Sequence, residues 1–152
     1  MPAGHSYDAD LVLWAQDQAR ALRHAAQSRI NLPIDWENVA EEIESLGKSQ
    51  GRELASRIRT VLLHLMKLQA SPATEPRSAW RATIRRERAE IETLLRDSPS
   101  LKPTLPAVIA AETATASRIA AADLADFGEQ PKIELAKAGY DTKKIIGDWF
   151  PD

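Results

Sequence analysis

Three polar side chains fall in the middle of otherwise apolar stripes when the helical segments of this chain are projected at about 100° per residue: Gln18, Glu87 and Glu112. A buried polar group must find a partner or shift its protonation, so each predicts a hydrogen-bond network where a carboxylate could act as acid, base or ligand. His64, at the edge of another stripe, would complete a polar pocket with Glu87 and Glu112 suited to a small molecule or one metal ion. The favoured alternative is structural pairing of each group with a nearby arginine or backbone group. A second set is basic. Arg81, Arg85 and Arg88 share one face of a helix, with Arg77 and Arg96 nearby and Glu92 interrupting them. Guanidinium forks suit phosphate, so a nucleic-acid backbone is a conceivable partner, against the favoured reading of a solvated face laced with pairs such as Arg88 to Glu92.

The acidic run Glu37, Glu41, Glu42 and Glu44 lies on the flanks and outer face of its helix, which reads as a solvated surface. Carboxylate-bridged metal sites in helical bundles use inward glutamates with Glu-x-x-His pairs, and no such pair occurs in the sequence. Glycine-rich phosphate loops, nucleophile elbows and metalloprotease helix motifs are also missing. No catalytic residue, cofactor or metal ligand is assigned.

The elements that carry these residues are helices throughout. Tyr7, Leu11, Trp14, Gln18, Leu22 and Ala25 recur at spacings of three and four and predict a helix over 8–26. Asp35 caps a second over 35–47, with the stripe Trp36, Val39, Ala40, Ile43 and Leu46 and a stop at Gly47. Ser49 then opens a third over 49–70, ended by Ser71 and Pro72. Its apolar arc, widened by Leu62, Leu63 and Met66, exceeds half the circumference, so this helix is central or lies in an oligomer interface. A fourth helix over 78–97 carries Trp80, Ile84, Ile91, Leu94 and Leu95 before Asp97-Ser98-Pro99 stops it. A fifth, near 104–126, houses Pro103 and Pro106 in its first turn or in a turn ahead of it, and buries Leu105, Val108, Ile109, Ala116 and Ile119. In the tail at 128–152, Ile133 to Ala138 suggests a short helix, Asp141 caps one more turn, and Trp149 and Phe150 are expected to dock. Residues 1–6 are expected to be disordered.

Length and composition agree with this plan. A chain of 152 residues is the size of one domain, and 20 basic against 22 acidic residues give a formal charge of -2, which provides no global attraction for nucleic acid or anionic lipid. The absence of cysteine excludes disulfides and thiolate metal ligands, and no basic and apolar leader is seen at the start. The most apolar stretch, Val61 to Met66, falls far short of the roughly 20 residues that cross a bilayer. A cytoplasmic protein without membrane contact is expected.

Four stretches carry a family resemblance: Ala40-Glu41-Glu42-Ile43-Glu44-Ser45-Leu46-Gly47, His64-Leu65-Met66-Lys67, Ser78-Ala79-Trp80 with Ile84, and Ser98-Pro99-Ser100-Leu101. In order and spacing they resemble the bacterial family called domain of unknown function 29, over about residues 6 to 151. The family more often has an aromatic where Leu68 stands and leucine where Met66 stands, and residues 128–140 fit poorly. The resemblance implies an all-helical bundle with no established activity, cofactor or substrate.

The sequence therefore predicts an all-α, up-and-down bundle of four main amphipathic helices, with a fifth helix and a short tail packed on it. The leading functional expectation is a non-enzymatic module that binds itself or another protein through Leu62, Leu63 and Met66. The alternatives are a nucleic-acid-linked regulator using Arg81, Arg85 and Arg88, and a small-molecule or metal-binding enzyme built around Glu87, Glu112 and His64.

Overall fold

The computed structural model describes residues 4–28 and 31–152, and these form an all-α fold. Four long helices, α1 (Leu11–Gln27), α2 (Trp36–Ala70), α3 (Arg77–Asp97) and α4 (Leu105–Asp126), are followed by the single turn α5 (Thr142–Ile146). Two 3-10 segments, Pro99–Thr104 and Leu135–Lys137, flank α4. Among the described residues, no helix is long and apolar enough to cross a membrane.

The largest departure from the sequence pattern is that the segments at 35–47 and 49–70 are one helix of 35 residues. Gly47 does not stop it, and the Ser49 hydroxyl donates back to the Leu46 carbonyl within the helix instead of capping a new one. At 1.5 Å per residue α2 is about 52 Å long. Where length and composition suggest one core, the described residues form two compact units, 1–53 with 94–102 and 54–93 with 103–152, and α2 belongs to both.

In the first unit, α1 starts one turn later than its apolar pattern suggests, because Asp10 is the cap: its carboxylate accepts the Leu13 amide at 2.9 Å. The buried face of α1 is centred on Ala15 and Ala19, and Gln18 is exposed. Gln18 is therefore not a polar core residue. The stripe of large side chains misplaces the face because α1 and α2 approach closely, and close approach needs small side chains. A Cβ on Gly47 would sit 3.3 Å from the Ala15 Cβ and 3.5 Å from the Val12 carbonyl oxygen. Ahead of α1, the backbone N–H and ring of His5 both bond Asp17 at 2.8 Å. The rest of the segment expected to be disordered, residues 1–3, lies outside the described residues.

The second unit holds the larger core. Leu54, Ile58, Leu62, Leu65 and Met66 of α2, Ile84 and Ile91 of α3 and Ile145 of α5 are completely buried, each contributing roughly 1.5–3 kcal/mol of apolar transfer. The terminal carbonyls of α2 are taken up in turn by the Ser71 amide, the Arg77 guanidinium and the Lys132 amide. Pro103 lies in the 3-10 turn and Pro106 in the first turn of α4, where a missing amide costs no helical bond. Helix α4 buries Leu105, Ile109, Ala116, Ala120 and Leu124, leaves Ile119 partly exposed, and ends at Gly128, whose φ of 66° suits a residue without a Cβ. In the tail, Asp141 caps α5 by accepting the Lys144 amide at 2.8 Å.

Candidate functional site

The residues expected to form a polar pocket are each engaged by a different partner. Glu87 of α3 pairs with Arg57 at 3.1 Å, and Glu112 of α4 pairs with Arg59 at 3.1 Å. The His64 ring nitrogen Nδ1 lies 2.8 Å from the Thr60 carbonyl one turn back on α2, and burial holds its pKa below the usual value, which keeps the ring neutral. Lys67 adds a 2.7 Å pair with Asp123. The second half of α2 thus lends cations to carboxylates on α3 and α4. These are structural ion pairs, partly exposed and worth little individually. Among the described residues, no group of three or more His, Asp or Glu is placed to hold a metal ion.

The expected interaction surface is corrected as well. Leu62 and Met66 are completely buried and Leu63 is half-buried, so the wide apolar arc of α2 is consumed inside its own unit. A helix apolar around most of its circumference is surrounded by partners, and here its own chain supplies them.

The arginine face is built around the tail. The guanidinium carbons of Arg81, Arg85 and Arg88 lie 6.0, 5.4 and 4.9 Å from the centroid of the Phe150 ring. Arg88 is committed further: its guanidinium donates to the carbonyls of Lys144, Ile145 and Trp149 at 2.7–2.8 Å. Those carbonyls follow a helix turn and would otherwise be unsatisfied, so Arg88 serves as a cap for the tail. Trp149 stacks edge-on against Tyr140 at 6.5 Å, with the Lys144 ammonium 5.0 Å from its ring. The Tyr140 hydroxyl donates to Gln69, and burial pushes the phenol pKa up to about 12.

The first unit offers two further features, the second of which leaves Val39 and Leu46 of the expected stripe exposed. One is internal. The Asp10 carboxylate, almost fully buried, accepts the Ser100 amide at 2.7 Å and the Ser100 hydroxyl at 3.0 Å in addition to the Leu13 amide. Burial works to raise its pKa, but the three hydrogen bonds together outweigh that and hold it below the usual carboxylate value. Beside it, the buried Ser98 hydroxyl accepts the Val12 amide at 3.2 Å. Three amides and a hydroxyl at the start of α1 and in the segment after α3 are thereby matched.

The other feature faces solvent. Leu32, Ile34, Val39 and Leu46 are 54, 43, 40 and 38% exposed, and the Trp36 indole N–H beside them is shielded from water without a hydrogen-bond partner. Val39 and Leu46 repeat at seven residues on one edge of α2, with Trp36 and Ile43 between them and the side facing α1. Their segment, Asp35 to Gly47, contains five carboxylates and no basic residue. Of these, Glu44 is paired with Arg23 at 2.8 Å, which holds the Glu44 carboxyl below its ordinary pKa.

The sequence pattern of the family described as domain of unknown function DUF29 matches residues 6–141. The chain belongs to the DUF29 family. A crystal structure at 1.45 Å resolution of an alpha-helical protein of unknown function from Rhodospirillum rubrum is similar to it, with a TM-score of 0.82 and 26% sequence identity over 98% of this chain and 94% of that one. No curated protein matches the chain. The match ends ten residues before the Pro151 reached by the sequence resemblance. The four stretches that carry the resemblance have structural jobs: Glu44 and Gly47 join α2 to α1, Lys67 pairs α2 with α4, Ile84 is buried in the core, and Ser98 and Ser100 hold the start of α1.

Proposed function

We propose that this DUF29 protein is a non-enzymatic, cytoplasmic interaction module that docks a protein partner on the first half of α2. The observation that carries the reading is the exposure of Val39 and Leu46 within one acidic segment and of Leu32 and Ile34 just ahead of it, while the buried side chains of the same unit include Ala15, Ala19, Ala40, Leu94, Leu95 and Leu101. Exposed apolar side chains gathered in one place mark interaction surfaces when polar residues rim them. The charge selects the occupant. A second copy of the chain would bring five more carboxylates against those already there, whereas apolar anchors rimmed by lysine or arginine would be complemented. The site on Leu62 and Met66 is given up because both side chains are buried.

The test places a photo-crosslinking amino acid at Val39 or Leu46 in cells, with Ala122 on the exposed side of α4 as control. The expected result is a crosslink from positions 39 and 46, absent from 122, to one partner whose crosslinked peptide is basic. The complex should weaken with salt and be lost in Val39→Asp with Leu46→Asp. Crosslinks only between copies of the chain, with a dimer in sedimentation, would overturn the choice of partner. Unchanged crosslinking in the double variant would overturn the site.

A further inference from the structure

The fold gathers three guanidinium groups around one phenyl ring; Asp148 of the tail acts on Arg88, while Arg81 and Arg85 are in none of the ion pairs found among the described residues. Arg81 and Arg85, one turn apart on α3, have the Phe150 ring as their contact, while Arg88 is used up on three tail carbonyls. None of the ion pairs found among the described residues includes Arg81, Arg85 or Arg88. The same helix carries Glu87, Glu90 and Glu92, yet Glu87 and Glu90 are turned to Arg57, 3.1 and 3.9 Å from it. Cation–π contact attracts each arginine to the ring but leaves its charge in place. Like charges this close repel, and the tail holds the carbonyl-bound Arg88 among them.

We propose that Arg81 and Arg85, at the rim of Phe150, form a binding site for a compact phosphate-bearing anion. Two guanidinium forks on successive turns match the paired oxygens of a phosphate, and Arg85 is open to solvent where an anion arrives. The chemistry selects a small anion over an extended nucleic-acid strand. A strand must be followed by several cations in a row, but Arg88 is withdrawn into the tail, and the neighbouring exposed positions on α3 include Glu90 and Glu92. A terminal phosphate or pyrophosphate needs only the one pair of forks.

The experiment follows the side-chain Nε–H signals of the isotope-labelled full chain by NMR. Inorganic phosphate and pyrophosphate are the probes, with chloride at matched ionic strength as reference. Saturable shifts of Arg81 and Arg85, with Arg52 and Arg118 unmoved, are expected. Arg81→Gln and Arg85→Gln should each weaken pyrophosphate binding tenfold or more. The Arg88 signal, held by the tail carbonyls, reports whether each variant keeps the tail in place. Phe150→Leu, which keeps all three arginines, should retain binding within a few-fold. Shifts that grow linearly and equally at all arginines would overturn the site, as would full binding in both glutamine variants. A 12-nucleotide single strand that binds much more tightly than pyrophosphate, with affinity rising with length, would overturn the compact ligand in favour of nucleic acid.

Discussion

Replacing Asp10 by alanine should be among the most damaging single changes outside the apolar core. The wild-type carboxylate accepts three hydrogen bonds, from the Leu13 amide, the Ser100 amide and the Ser100 hydroxyl, at 2.7–3.0 Å, and is nearly inaccessible to water. Loss of the helix cap alone costs about 1 kcal/mol. The two bonds to Ser100 are charge-assisted, worth about 1.5–3 kcal/mol each before the cost of burying the carboxylate is subtracted. Because the bonds outweigh burial in setting the pKa of Asp10, the net sign is favourable, and a loss of about 3 kcal/mol is expected, a fall in Tm of about 6–12 °C for a chain of this size. The pH dependence gives an independent check. A carboxyl whose folded pKa is depressed contributes stability that is present above its unfolded pKa of about 3.9 and is lost as pH falls through the folded value. Urea unfolding followed by circular dichroism at pH 7 and across pH 5 to 2.5 should therefore show wild type and Asp10→Ala converging in acid. Asp10→Asn, which keeps one acceptor but no charge, should fall between them at pH 7. A loss below about 1 kcal/mol at pH 7, or a gap that stays constant through the acid range, would refute the argument that this carboxylate is the tie between α1 and the segment after α3.

The close approach at Gly47 predicts that Gly47→Val, which places branched carbon where a Cβ already lies 3.3 Å from Ala15, costs about 2 kcal/mol by chemical denaturation, while Gly47→Ala stays within about 1 kcal/mol because improved helix propensity offsets the crowding. Leu62→Ala should lose about 2–5 kcal/mol as a core cavity, and sedimentation should show no change in the state of association, in contrast to a residue of an interface. For Tyr140, spectrophotometric titration of a Tyr7→Phe variant should place tyrosinate formation near pH 12. The stability this buried phenol contributes is complete below its unfolded pKa of about 10 and disappears as pH rises from there through 12. Glu112→Gln should cost less than about 1 kcal/mol, since its pair with Arg59 is partly exposed.

The helical plan was legible because its signals are local. The cap at Asp141 and the placing of Pro103 and Pro106 follow from residues acting within a few positions of one another. What failed depended on partners distant in sequence. Gly47 reads as a helix stop in isolation, and becomes an interior contact only because Ala15 lies against it. Gln18 was placed inside by a stripe of large side chains, when the packed face of α1 is its small one. Glu87 and Glu112 pair with Arg57 and Arg59, 30 and 53 positions away, which carry no spacing signal that would single them out. The same blindness hid Asp10 and Ser100, 90 residues apart.

Neither compact unit is an uninterrupted length of chain. The polypeptide leaves the first unit in the middle of α2, returns to it at Leu94, and leaves again after Lys102. A C-terminal truncation anywhere before Lys102 therefore strips side chains from both units, and a fragment ending near Glu53 would forfeit Ser98 and Ser100 along with the second half of its longest helix. Such an arrangement is inherited whole. It cannot be shuffled into another protein by joining halves, and any fusion or tag has to be placed outside the span rather than at a seam within it.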